Sequence, residues 1–481
     1  MKIKNLSLAI ALMGGIPGVA LASGYHFGSQ SVSAQGTAFA SAAEADDAST
    51  IFYNPAGMSR LKGNNFSGGL TVVIPNSDYT DKGSVNFLNR PTGGGNGGTF
   101  APSAVVAPSM YLTHQINDQF TAGIGMFVPF GASLDYGSGW AGRYGITKID
   151  LMTININPSI SFKLNEHHSF GFGISAQYMN AELDKASDAL TGVIMGAAGG
   201  KFGAESGNIY AAATTGKIGG DGSIKIKGTD WGYGFNLGYI FTFDENTRFG
   251  IAYRSAISQK LRGYADWDFS SLRFASSVTD AQKALILAAV NGKHPDSKAS
   301  VDVKTPESLS INGFHQINDK WAVMADVTWT RHSQMQNIDV NFNTPGEGDF
   351  VVRQNWRNTY KVSVGANYKY NDALMLRGGI AYDQSPVSDE SLRHPALPDS
   401  NRWLFSLGGN YKFTKLDSLD FAYTYIDFAN ANLNYKDACN PSGNFIPGNA
   451  SSGICTGNGE NTKGQYKTNI HMLGVQYNRA F

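Results

Sequence analysis

Cys439 and Cys455 are the only thiols in 481 residues, and they sit sixteen residues apart across a stretch rich in Gly, Asn and Pro. That spacing suits a disulfide closing a loop, worth about 3 kcal/mol in the chain-entropy picture. Such bonds belong to oxidising compartments. Two thiols without a neighbouring histidine pair do not make a metal site. His167 and His168 are adjacent, but no further ligand types cluster beside them. The run "GAAGGKF" at 196–202 has the glycines and lysine of a phosphate loop at the wrong spacing. Phe202 stands where a Ser or Thr would hold magnesium, so a flexible hinge is the better reading. Neither G-x-S-x-G nor H-E-x-x-H occurs. No catalytic residue, metal or cofactor is expected.

The elements around these residues explain why. Lys2 and Lys4, the apolar run Leu6 to Val19, and Ala20-Leu21-Ala22 read as a signal peptide over 1–22, with a mature chain from Ser23. The run is too short to span a bilayer as an anchor. Acidic and basic residues balance at 38 each, so nothing calls for nucleic acid as a partner. Charged residues make up only 16 % of the chain, below the roughly 25 % usual in soluble domains.

Period-2 alternation dominates. Trp403, Phe405, Leu407, Tyr411 and Phe413 share one face against Arg402, Ser406, Asn410 and Lys412. Trp231, Tyr233, Phe235, Leu237, Tyr239 and Phe241 alternate with Gly232, Gly234, Asn236 and Gly238. One face is large and apolar, the other small or polar. Lipid outside and a polar lumen inside account for both, and closure removes the unpaired edges that hydrocarbon forbids. Six short turns, each around an Asn or Asp, separate seven long loops: 76–102, 131–147, 183–227, 263–301, 342–350, 385–400 and 430–465. The reading is all-β, an antiparallel transmembrane barrel of about fourteen strands over 65–481. The chain ends on an aromatic, Phe481, as such barrels usually do.

Two loops carry apolar helical patterns. "DALTGVIMGAA" at 188–198 presents Leu190, Val193, Ile194 and Met195; "TDAQKALILAAV" at 279–290 presents Leu285, Ile286, Leu287 and Val290 behind a Thr279 or Asp280 cap. Exposed apolar patches of this kind mark binding sites; the alternative is that the two helices only pack on each other. Before the first strand, residues 23–64 are rich in Ala, Ser and Gly and hold the acidic cluster Glu44, Asp46 and Asp47, which fits a lumen and not lipid. Within it "YNPAG", 53–57, reads as a turn, with Asn54 bonding backbone or lumen groups and Pro55 fixing φ.

Taken in order, "GTAFASAAEADDASTIFYNPAGMSRL", "WAGRY" at 140–144, "TININPSISFKLNE" at 153–166, "RFGIAYRSAISQKLRG" at 248–263, "TPESLSINGFHQINDKWAVMADVTWT" at 305–330, "NWRNTYKVSVGANY" at 355–368 and "LRGGIAYDQSPVSDESLRHPALPDSNRW" at 376–403 resemble the FadL/TodX family of outer membrane transporters for long-chain fatty acids and aromatic hydrocarbons. The resemblance implies a fourteen-stranded barrel with residues 23–64 as a hatch in the lumen, gated around Asn54, Pro55 and Ala56. It implies capture of a hydrophobic ligand in a groove between loops 183–227 and 263–301, transfer to an inner apolar pocket, and a lateral opening at a kink in the third strand, where Gly123, Gly125 and Pro129 are unusual. Lys185 and Arg353 are the nearest matches to the family's carboxylate-binding cations, with a solvated loop charge as the alternative for each. It also implies a monomer among outer-membrane lipid and lipopolysaccharide, inserted by the barrel assembly machinery. An aromatic hydrocarbon channel of the same fold, or a general porin, is the alternative function.

Overall fold

The computed structural model describes residues 25–344, 347–442, 444–445 and 455–481. The expected signal peptide lies outside them. Fourteen antiparallel strands close into one barrel. They are β1 (Asn64–Asp81), β2 (Val105–Gln115), β3 in two segments (Phe120–Phe127 and Gly131–Asp135), β4 (Lys148–Lys163), β5 (His168–Ser187), β6 (Gly222–Thr242), β7 (Thr247–Arg254 and Ile257–Asp268) and β8 (Ser297–Thr305 and Ser308–Gln316). The circuit continues with β9 (Trp321–Thr330 and Asn337–Phe342), β10 (Asp349–Arg353 and Thr359–Lys369), β11 (Leu374–Asp383), β12 (Arg402–Lys412), β13 (Asp417–Phe428 and Ala431–Lys436) and β14 (Asn461–Ala480). β1 pairs with β14 from Asn65↔Ala480 to Asp81↔Gly464, which closes the ring.

Local chemistry makes the six short turns. At each, one side-chain oxygen (Asn117, Asn165, Asp244, Asn318, Asn371 or Thr414) accepts from two backbone N–H groups two and three residues on. His167 and His168 take part in the β4–β5 turn: His167 Nδ1 lies 2.8 Å from the Thr242 carbonyl, and His168 Nδ1 lies 2.7 Å from Tyr239 Oη.

The outward face is the expected one. Ile160, Phe172, Leu237, Val364, Leu407 and Val475 are all exposed. Trp321, Tyr370, Tyr411 and Phe413 ring the turn end, while Trp231, Tyr360 and Trp403 ring a level nearer the loops.

Several strands outrun the expected loop boundaries. β5 continues to Ser187 and β6 starts at Gly222, so the loop expected over 183–227 is 188–221. The loop expected over 263–301 is likewise cut to 269–296. In these extensions the alternation persists with its sense reversed. Lys148, Asp150, Glu182, Lys225 and Lys227 face outward, and Ile149, Leu151, Leu183, Ile224 and Ile226 face inward. The outward charges pair with one another, Glu182 with Lys148 at 3.0 Å and with Lys227 at 2.9 Å.

Residues 25–63 fill the turn-side lumen. They form α1 (Val32–Gly36), α2 (Thr50–Tyr53) and a 3-10 helix (Pro55–Arg60). The loops carry α3 (Ala189–Ala198), α4 (Ser206–Thr214) and α5 (Asp280–Lys293).

Candidate functional site: an apolar chamber below the barrel mouth

The inverted alternation has a direct product. Ile149 and Leu151 of β4, Leu183 of β5, Ile226 of β6, Leu261 of β7, Val301 and Val303 of β8 and Ile338 of β9 line a chamber of about 780 Å³, mouth included. Tyr25 forms part of its lining from the hatch side; Glu182 and Lys227 adjoin it along the strands while their side chains pair on the outer face. Walls of this kind take an alkyl chain without any directed contact, at roughly 0.8 kcal/mol per buried CH₂.

Two residues above Leu183 on the same inner face stands Lys185. It is buried, and its Nζ lies 3.9 Å over the Phe350 ring. It lines a smaller cavity of about 360 Å³ with Ile224, Trp267, His294, Phe342 and Phe350. Among the described residues its ammonium has no salt bridge and no hydrogen bond. Two buried titratable groups lie close enough to feel its charge. Burial, with Asp437 next to it, raises the Glu460 carboxyl well above its usual range. Burial and the Lys185 charge push the His394 imidazole down to about 3. Asp437 is spent on backbone N–H groups of Cys439, Asn458 and Gly459. The Cys439–Cys455 disulfide, Cα–Cα 5.8 Å, braces this corner, because Cys455–Thr456 pairs with Asp349–Phe350 beneath the lysine.

α3 and α5 stand directly over this cavity. Asp188 caps α3 through the Thr191 N–H at 3.0 Å, and Thr279 with Gln282 forms a capping box on α5. Val193, Ile194 and Ile286 meet Phe202, Ile209 and Val278 in one buried cluster, with Leu190 and Val290 at its edge. Leu287 joins Trp267, Phe269 and Leu272 in a second cluster. The helices thus close on each other. Leu285 faces away and is exposed, and Met195 belongs to neither cluster.

The barrel wall is interrupted beside the chamber. β2 pairs with β3 only from Met110↔Met126 to Gln115↔Thr121, leaving Val105–Ser109 paired on the β1 side alone. Pro129 sits in the interruption, where it has no N–H to give a ladder. Gly123 and Gly125 do not: they pair regularly with Thr113 and Tyr111. Their small size serves the hatch, since a Cβ on Gly123 would lie 2.7 Å from Met58 Sδ and 2.8 Å from Ile51. A recess of about 620 Å³ between Val105 and Ser133–Leu134 shares Leu397 with the chamber.

The first described residues strap this gap from inside. Phe27 N donates to Pro129 O at 2.7 Å and Gly131 N to Tyr25 O at 2.9 Å. Gln30 grips Val128 on both sides, Nε2 to its carbonyl at 2.7 Å and Oε1 from its N–H at 3.2 Å.

"YNPAG" is a fixed wedge. Asn54 caps the 3-10 helix through the Ala56 N–H, and its Nδ2 donates to Tyr239 O at 3.1 Å on the barrel wall. Asn54, Pro55 and Ala56 are all buried. They press so closely that a Cβ on Gly171 would meet Pro55 C and Ala56 N at 2.3 Å. The acidic cluster moors the same domain: Asp46 lies 3.7 Å from Arg377, and Asp47 accepts from Ser33 and Gln476.

Arg353 is not brought to Lys185. It lies in register with the exposed Asn337 and lines neither cavity described here. The residues that sequence reasoning missed are the chamber's inward Ile, Leu and Val and the strap. "KIDL", 148–151, contained the signal: an alternation whose polar members are charged belongs on an outside beyond hydrocarbon.

The match to known proteins is as extensive as the fold. The family model described as outer membrane protein transport protein (OMPP1/FadL/TodX) matches residues 15–481. A putative outer membrane protein of Neisseria meningitidis serogroup B is 38 % identical over 466 residues, covering 96 % of this chain and 95 % of that protein. A long-chain fatty acid transport protein of Escherichia coli O157:H7 is 28 % identical over 436 residues, covering 89 % and 92 %. Among solved structures, a Pseudomonas aeruginosa FadL homologue superposes with a TM-score of 0.78 at 22 % identity, covering 95 % of this chain and 99 % of that one. The toluene transporter TodX of P. putida does so at 0.59 and 17 % identity, covering 90 % and 94 %.

Proposed function

The chain belongs to the OMPP1/FadL/TodX family of outer membrane transport proteins, and from that premise we propose that its cargo is a long-chain fatty acid, moved passively. The family makes it an outer membrane transporter of hydrophobic compounds rather than an enzyme. The substrate and the route are our reading.

One observation carries the choice of substrate. Lys185 is a buried ammonium with no salt bridge and no hydrogen bond among the described residues, at the top of an apolar chamber. A buried charge without a direct partner is costly. A carboxylate head at Lys185 with its tail among Leu183, Ile226 and Val301 removes that cost and fills the apolar space. A monoaromatic hydrocarbon offers the lysine a ring face but no charge.

The route follows from contiguity. Ligand enters as α3 and α5 part over the Lys185 cavity, then descends into the chamber. It leaves through the recess between β2 and the outer segment of β3, at Pro129. Residues 23–64 act as the hatch. Within it, Tyr25–Gln30 is the gate, since Tyr25 lines the chamber and Tyr25, Phe27 and Gln30 tie the gap; Asn54–Ala56 is the anchor about which the gate moves.

The test compares oleate with oleyl alcohol, which keeps the tail and loses the charge. Lys185→Gln should weaken oleate binding about ten- to a hundredfold, the value of a charged hydrogen-bonded contact, and leave oleyl alcohol unchanged. Equal loss for both ligands, or toluene binding that matches oleate, would overturn the fatty-acid reading. Deleting residues 24–35 should change uptake of labelled oleate while the barrel keeps its folded mobility in unboiled gels. Unchanged uptake would remove the gate.

A further inference from the structure

Beneath Tyr25 the lumen changes character. Its neighbour His26 lines two cavities, of about 640 and 510 Å³, that share His26, Gly28, Phe39, Thr328 and Lys361. They lie between the hatch and the barrel wall, and the strap, with Tyr25 on the chamber and His26 on these cavities, stands between the two levels. Unlike the chamber, they face charged side chains. Arg254 of β7 lines the first, and Lys361 of β10 lines both.

These two cations are underused. Arg254 gives one N–H to Ser175 Oγ at 3.2 Å and one to Phe52 O at 3.0 Å, out of five available. Its guanidinium lies 4.7 Å from the Phe52 ring centre and 5.4 Å from that of Phe127, the last residue before the interruption in β3. Lys361 has no hydrogen bond among the described residues; its Nζ stands 5.2 Å from the Phe39 ring centre. Neither forms a salt bridge there. Two carboxylates also face these cavities and are both engaged. Asp326 accepts from Ser310 and Thr328, and Asp383 is paired with Arg402 at 3.0 Å.

We infer that Arg254 and Lys361 form a second carboxylate station, below the strap, which receives the head of an alkyl carboxylate after it leaves Lys185. Cations held without a direct ion pair in an enclosed lumen cost stability; aromatic rings recover part of it, and Asp326 across the same cavity acts on Lys361 through space. A carboxylate accepts from a guanidinium and an ammonium together. The position is apt as well as the chemistry. A head held under Phe127 leaves the tail beside the strap, directed to the chamber or to the gap at Pro129. The station gives the head a place to wait while the tail turns toward the opening. This inference rests on the fatty-acid reading above.

The test separates affinity from rate. The full chain is used, with oleate and oleyl alcohol as probes. The double variant Arg254→Gln/Lys361→Gln should keep oleate affinity within about twofold, because Lys185 and the chamber are intact. It should slow oleate uptake by about tenfold or more and leave oleyl alcohol uptake unchanged. Lys361→Arg, in an otherwise unaltered chain, should retain the rate. Unchanged oleate uptake, or equal slowing of both probes, overturns the station. If Lys185→Gln also fails to discriminate the probes, the fatty-acid reading falls with it. If Lys185→Gln discriminates and the double variant does not, the station alone falls. Should the double variant not fold, as judged by unboiled gel mobility, Lys361→Gln alone carries the test, since its ammonium makes no hydrogen bond among the described residues.

Discussion

The wall of this barrel is two walls stacked end to end. On the turn side, β4 shows Ile156 and Ile160 outward and Asn157, Ser159 and Ser161 inward. On the loop side, the same strand shows Lys148 and Asp150 outward and Ile149 and Leu151 inward. β5 and β6 make the same exchange. The backbone and the period of two are continuous throughout. Only the solvents change places: hydrocarbon gives way to water outside, and a hydrated, hatch-filled lumen gives way to an apolar chamber inside. Alternation therefore identifies a strand, but the sense of it reports height along the barrel.

Substitutions on each side can break that comparison. The largest effect should come from Ile160→Arg, which puts a charge on the lipid face; near the bilayer midplane this costs about 2–4 kcal/mol, measurable as a lower urea midpoint for the barrel in vesicles. Gly171→Ala attacks the turn-side lumen, where the added Cβ would overlap Pro55 and Ala56. A cost of about 1–3 kcal/mol is expected for overpacking, with the hatch displaced and single-channel conductance raised while the barrel stays folded. Leu183→Ala enlarges the loop-side chamber. It should weaken oleate by about 1 kcal/mol through lost apolar contact, seen by calorimetry, with little change in conductance. Lys227→Gln, on the outward loop-side face, removes a 2.9 Å pair with Glu182 whose lysine is largely exposed. It should cost less than about 1 kcal/mol in the same urea titration. If Lys227→Gln matched Ile160→Arg, the outward face would not change solvent between the two levels.

Much of the wall was legible beforehand, for reasons that are local. Five of the six turns could be read because an Asn or Asp oxygen captures N–H groups two and three residues on, with no help from the rest of the fold; at the sixth the acceptor is Thr414 and not the expected Asp417. Pro129 could be read because proline lacks a ladder donor anywhere. The glycines beside it misled: Gly123 and Gly125 are small because Met58 and Ile51 press on them from a segment some seventy residues earlier. The apolar loop helices were found, but their partners Phe202, Ile209 and Val278 were not, since packing between loops has no period. Lys185 came from resemblance and not from spacing. The strap was invisible, because its contacts are backbone groups of Phe27 and Pro129 and one glutamine amide, which no residue type announces.

The sequence by itself determined the closed antiparallel barrel, its lipid face, its turns and the polar run that precedes it. Each follows from contacts between near neighbours or from one side chain meeting one solvent. The tertiary structure alone decided where the lumen becomes apolar, that Lys185 stands above that space with no salt bridge among the described residues, and that Tyr25, Phe27 and Gln30 close a gap in β3. Those features depend on which inward side chains end at the same height on different strands. That height is set by barrel stagger and hatch packing, and neither is written in any one stretch of chain.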